Sequence, residues 1–232
     1  MSAATLDGSF PHRWQAEVLA ARPAILPARH YVYPRQAEEV ERGALEVMVR
    51  PVPRKEMGAP GQGSPRTGLR PWGGDPSHLG TWDSTTANPP THPQSAPPFL
   101  ATCALGFRDP LVPTGIWSAP SPEEICLVAG GYAYMVDTTS PERFTMIPYR
   151  PVLEVRAAVD AGMLLFVGHR SILAWGRNGQ AWESEKLSDE GVKITAIENG
   201  VLVGKGWHLL TDKETTFALD LRSGARVEGP VP

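Results

Sequence analysis

Two cysteines in 232 residues exclude a disulfide framework. Cys103 and Cys126 lie in apolar stretches (ATCALGF and EEICLVAG), which reads as two buried free thiols behaving as small hydrophobes, with a single bridge between them as the alternative. No CxxC or HExxH occurs. The six histidines (12, 30, 78, 92, 169 and 208) have no metal-ligand spacing, so no metal is expected. No apolar run approaches the ~18 residues of a membrane span. The opening MSAATLDGSFPHRW lacks the apolar core of a secretory signal. The expectation is a soluble, cytoplasmic chain without membrane insertion. Net charge is −3, residues 99–232 carry 12 basic and 16 acidic side chains, and no basic stripe stands out, so nucleic acid is not an expected partner. Also missing are GxSxG, GxxxxGK[ST] and a GxGxxG that opens a helix, so no cofactor is expected.

What the chain has in excess is proline (24) and glycine (23), and most of that excess has an address. Residues 53–98 hold few large aliphatics and many breakers, too little apolar surface to offset the entropy of ordering them. They read as a disordered or extended insertion. Trp72 and Trp82 within it read as incidental aromatics or as anchors on a surface, the chain's own or a partner's. Before it, residues 1–52 predict two short helices and a strand. The first helix runs from about 10 to 21, capped by Ser9, with Trp14 and Val18 on one face. The second runs from Pro34 to Arg42, ended by Gly43. ALEVMVRPV then alternates, placing Leu45, Val47 and Val49 on one face of a half-buried strand.

Residues 99–232 form a third part, dense in strand signals: 99–106, 124–129, 132–137, 143–148, 152–159, 163–168, 171–175, 180–186, 192–197, 200–204 and 216–220. Asn178-Gly179 and Asn199-Gly200 are hairpin turn pairs that tolerate positive φ. Three segments align, beginning at 125, 164 and 201. Each has an apolar strand ending in glycine (Gly130, Gly168, Gly204), a second strand, a polar turn (Ser140-Pro141, Asn178-Gly179, Ser223-Gly224) and a third strand. Turn-to-turn spacings are 38 and 45 residues, the larger reflecting an insertion, LLTDKE (209–214). A period in this range indicates stacked supersecondary units. The expected fold is all-β: repeated four-stranded antiparallel meanders, with a β-sandwich as the alternative. A fourth unit would come from 44–51 and 99–118.

ILAWGRNGQAWES (172–184) and FALDLRSGARVEG (217–229) resemble the hairpins of quinoprotein/WD-type β-propeller blades, a resemblance spanning 125–229. It implies a partial or small propeller-like array. The chain is also similar to bacterial proteins with a GGYAYxxDT…RPVLEVR…LLFVGHxSIxAWG block, which implies no activity.

The candidates for chemistry cluster in one hairpin. His169 follows Gly168 at a strand end, where a histidine serves as base, ligand or simple turn residue. Glu183 and Glu185 alternate along one strand, as a solvated face or as paired carboxylates for glycoside hydrolysis. Trp175 and Trp182 bracket the turn and read as core, or, if exposed, as an aromatic ligand platform. Trp117 and Trp207 read in the same way. With no catalytic motif, the sequence favours a non-enzymatic β-rich interaction or assembly module. It would be a subunit of a larger bacterial complex, with a protein partner or homo-oligomer and the 53–98 segment docking on the partner. The alternative is a carbohydrate- or ligand-binding protein or hydrolase using the 169–185 hairpin.

Overall fold

The computed structural model describes residues 4–35, 43–53 and 96–227. By compactness the chain divides into Met1–Val52 with Ala96–Pro232, and Pro53–Ser95. Trp72 and Trp82 lie outside the described residues. In chain order the strands are β1 (Thr5–Asp7), β2 (Trp14–Leu19), β3 (His30–Tyr33), β4 (Ala44–Pro51), β5 (Phe99–Ala104), β6 (Gly115–Ser118), β7 (Glu124–Ala129) and β8 (Tyr132–Asp137). There follow β9 (Phe144–Met146), β10 (Glu154–Ala158), β11 (Met163–Val167), β12 (Ile172–Gly176), β13 (Gly179–Glu183), β14 (Val192–Glu198), β15 (Val201–His208) and β16 (Lys213–Asp220).

These strands form four sheets. Sheet I has the order β2-β4-β5-β3, sheet II β1-β6-β7-β8-β9, sheet III β10-β11-β12-β13, and sheet IV β14-β15-β16. From β6 onward the chain lays down successive antiparallel meanders. The third meander adds only a single bridge, Leu219 to Arg226, beyond its three strands. The expected fourth unit is divided: β4 and β5 belong to sheet I, whereas β6 opens sheet II. Among the described residues no sheet closes on itself.

The N-terminal helices are not found; the described residues contain no α-helix. The stretch read as helix 10–21 carries β2, which pairs Trp14 with Pro51, Ala16 with Val49 and Val18 with Val47. A spacing of four puts Trp14 and Val18 on one face of a helix, but four is also even, so they share one face of a strand. The decisive contact is distant: the Trp14 indole N–H donates to the Glu124 carbonyl at 2.9 Å. Of the second expected helix, Pro34 and Arg35 are not helical, and 36–42 lie outside the described residues.

Three apolar layers join the sheets in series. Trp14, Val47 and Phe99 of sheet I meet Leu127 and Tyr134 of sheet II. The other face of sheet II (Trp117, Cys126, Met135) meets Phe166 and Trp175 of sheet III. The reverse of sheet III (Leu165, Ile172, Trp182) meets Ile194, Leu202 and Phe217 of sheet IV. Sheet III is therefore covered on both faces, which explains the unbroken apolar run of β11. Both cysteines are buried and free, in different layers.

On the outer face of sheet I, Glu46 is only 6% exposed. Its carboxylate accepts from Thr102 Oγ1 at 2.5 Å and from Arg22 Nε at 3.1 Å. His30 Nε2 lies 2.8 Å from the same threonine oxygen. The single threonine proton is committed to Glu46, so His30 is the donor to Thr102.

Candidate functional site

Strand direction places the β7–β8, β11–β12 and β15–β16 turns at one end of the sheet series, and backbone hydrogen bonds tie them to the neighbouring loops. Phe107 N–H donates to the Gly130 carbonyl (2.9 Å), Gly131 N–H to Pro113 (2.9 Å) and Val152 N–H to Gly131 (2.8 Å). Further along, Leu187 N–H donates to Arg170 (2.7 Å), Gly191 N–H to His169 (2.9 Å) and Asp189 N–H to Trp207 (2.8 Å). The loop end is thus a continuous, backbone-locked surface. His169 lies on it, exposed, with its carbonyl engaged by Gly191.

Glu183 sits at the same end, at the last position of β13, and is exposed. Its Oε1 accepts from the Tyr149 hydroxyl at 2.9 Å and from Ser171 Oγ at 3.1 Å; the two hydroxyl oxygens are 2.7 Å apart. Burial, with the Glu183 carboxylate adding to it, pushes the Tyr149 hydroxyl well above its ordinary range, against the bond to Ser171, so it stays a donor. A Cβ on Gly168 would meet the Tyr149 ring at 2.9 Å; the glycine in the "VGH" triplet makes room for that ring. Glu185 pairs instead with Arg226, and Asp189 with Lys186, so these carboxylates form no catalytic pair with Glu183. Tyr149 and Ser171 were missed in the sequence. Hairpin register alone puts Ser171 beside the end of β13, but Tyr149 arrives from the β9–β10 connection without a local signal.

The two tryptophans do not make a platform. Trp175 is 6% exposed in the layer between sheets II and III, and Trp182 is 7% exposed between sheets III and IV. A register shift at Ala174/Trp175 sets Trp182 opposite Ala174 and Trp175 opposite Gln180, so the rings leave sheet III from opposite faces. Trp182 Nε1 donates to the Leu221 carbonyl at 2.8 Å, and a Cβ on Gly224 would meet its ring at 2.5 Å. Trp117 is buried between sheets II and III, whereas Trp207 is half-buried on the outer face of sheet IV.

Trp175 Nε1 donates to Glu124 Oε2 at 3.1 Å. Glu124 lines a cavity of about 590 Å³ on the side away from the loop end, with Asp137, Arg143, Arg35 and Phe144. Arg143 is already paired with Asp137 at 2.6 Å. Burial raises the Glu124 carboxyl above the usual carboxylate range, the Trp175 bond opposes the rise, and Asp137 and Glu123 add to it. A raised folded-state value means stability present below the ordinary glutamate range and lost as pH rises through the folded one. Glu124→Gln keeps an acceptor for Trp175 and cannot ionise. It is expected to be more stable than wild type at neutral pH, with the difference vanishing in acid. Urea unfolding at both pH values checks this; a pH-independent difference contradicts it.

Among the described residues no group of three His, Cys, Asp or Glu side chains is arranged to hold a metal ion. Among them, too, no helix is long and apolar enough to cross a membrane. Comparison with protein-family models, with curated proteins and with solved structures finds no match to this chain.

Proposed function

We propose that the chain is a non-enzymatic β-rich interaction module, a subunit of a larger assembly whose protein partner docks on the loop end. The observation that carries this reading is apolar exposure on a locked surface. Phe107 (40% exposed), Leu111 (86%), Leu209 (55%) and Leu210 (92%) all stand on loops of that end. Phe107 and Leu111 share one loop, and Leu209 and Leu210 adjoin on another; loops held by a rigid scaffold are where binding residues gather. The LLTDKE insertion that lengthens the third repeat supplies two of the four. The successive meanders support reading sheets II–IV as propeller-type blades. On sequence grounds, the 53–98 segment with Trp72 and Trp82 is assigned to the same partner, in the cytoplasm.

One observation favours the second reading, a carbohydrate- or ligand-binding site or hydrolase: the exposed Glu183 carboxylate held by Tyr149 and Ser171, with His169 on the adjoining turn. A single capture experiment separates the two. Tagged full-length protein retains its partner from a native extract. Phe107→Ser, and separately Leu209→Ser with Leu210→Ser, are expected to lose it at least ~10-fold, given that burying each such side chain contributes about 1.5–3 kcal/mol. The exposed leucine substitutions leave folding stability within about 0.5 kcal/mol; Phe107→Ser also gives up an edge-on contact with the Tyr132 ring at 6.0 Å, about 0.5–1.5 kcal/mol, which urea unfolding measures alongside capture. Glu183→Gln is expected to retain the partner. Equal capture by all variants overturns the proposal; loss with Glu183→Gln alone points to the second reading.

A further inference from the structure

Sheet IV is the last of the series, and only one of its faces is packed against another sheet of the described residues. Leu202, Phe217 and Leu219 point inward to sheet III. The alternate positions of β15, Val201, Val203, Lys205 and Trp207, point outward and are half-buried rather than covered. The strand register arranges their neighbours in rows. Val201 lies between Glu198 and Asp220; Val203 lies between Ala196 and Ala218; Lys205 lies between Lys193 and Thr216. Along the strands the outer face therefore runs from an acidic row, through an apolar row, to a basic one. Glu214 pairs with Lys205 at 2.9 Å. Among the described residues no ion pair involves Lys193, Glu198 or Asp220. The exposed loops of the proposed docking end are a separate surface.

We infer that a second copy of this chain packs on that face, sheet IV against sheet IV, with the strands of the two copies antiparallel. The two-fold axis lies in the interface, across the strands at Val203. Rotation about it sets the acidic row of each copy over the basic row of the other. Lys193 then faces Glu198 of the second copy, twice, and the Val203 rows meet at the centre. An axis along the strands instead sets Glu198 over Asp220, like charge on like charge. The charge pattern thus selects one orientation of an isologous, closed dimer. Aligned face-to-face packing with strands within about 30° is an ordinary mode for twisted sheets. It would continue, across the two-fold, the face-to-face arrangement that each chain uses internally.

The test is sedimentation equilibrium of the full-length protein with three charge variants. Wild type is expected to dimerise. Lys193→Glu and Glu198→Lys, each creating like-charge contacts, are expected to weaken dimerisation at least ~10-fold. The double swap Lys193→Glu with Glu198→Lys is expected to return to within about three-fold of wild type, because in the two-fold geometry each swapped residue meets the other. Both side chains are exposed, so the variants fold. A monomeric wild type overturns the inference, as does a dimer indifferent to the single reversals or not restored by the swap. None of these outcomes bears on partner capture at the loop end, which is read separately.

Discussion

Gly130→Ala is expected to destabilise the fold by roughly 3 kcal/mol and to lower its melting temperature by roughly 6–12 °C. Gly130 has φ +55°, in the left-handed region. A residue with a Cβ there loses about 1–2 kcal/mol. The added methyl would also stand 2.3 Å from the Phe107 carbonyl oxygen and 2.9 Å from its nitrogen. Backbone atoms cannot swing aside as a side-chain tip can, and overpacking of this kind costs typically 1–3 kcal/mol. Relief requires the 105–113 loop to move, breaking the bond from Phe107 N–H to the Gly130 carbonyl and carrying Phe107 with it. Partner capture at the loop end should fall in parallel. The control is Gly200→Ala: φ is +78°, but nothing lies within 4 Å of the new Cβ. Only the backbone term remains there, about 1–2 kcal/mol. Urea unfolding of the two variants decides the matter; equal losses would mean that the close approach at Gly130 has no energetic weight.

Trp182→Ala is expected to cost still more, about 3–5 kcal/mol for a large aromatic removed from a packed layer. Three consequences coincide. The layer between sheets III and IV loses its largest side chain. The Leu221 carbonyl loses the indole N–H that it accepts. Gly224, whose position is shaped to the ring face, is left against a void. With a domain stability of about 5–15 kcal/mol, such a loss threatens folding at physiological temperature. The same substitution on an exposed ligand platform would cost within about 0.5 kcal/mol, so denaturant unfolding of this variant distinguishes core from platform without any ligand in hand.

Most of the strands from 99 onward were legible because their signals are local. β14 alternates, β11 is uniformly apolar at a length that suits a strand, and the turns carry glycine and asparagine where positive φ is needed. Two local signals were too weak to read: β6 (GIWS), the antiparallel neighbour of β7, and the half of β15 beyond Gly204. The rest of what escaped was non-local. β1 and β3 are short strands that pair in parallel with β6 and β5; their partners are 110 and 70 residues away, and nothing in TLD or HYVY specifies them. β2 carries a helical signal in its sequence because Trp14 and Val18 fit either periodicity. The tryptophan pairing across the β12–β13 turn failed for a subtler reason. Residue counting gives the distance from the turn, but one register shift reverses which face a side chain takes. The loop end was invisible as a unit, since its coherence comes from backbone bonds that any sequence can make. The outward row of β15, by contrast, is present in VLVGKGW as plain alternation; its significance depended on which sheet came last.

The pairing of β4 with β5 has a consequence for the chain between them. Val49 and Phe99 are direct cross-strand partners, about 4.5–5.5 Å apart, so the segment between Val52 and Ala96 is inserted between two neighbouring antiparallel strands of sheet I. The two anchor points belong to a hairpin, the one kind of junction at which a long excursion and a two-residue turn are topologically equivalent. Closing a loop costs little more as it lengthens, about 0.6 kcal/mol per doubling. The junction is therefore a cassette position. Sequence inserted there can be exchanged, shortened or elaborated without altering any strand register in the four sheets, because both of its ends are fixed by the same pair of strands.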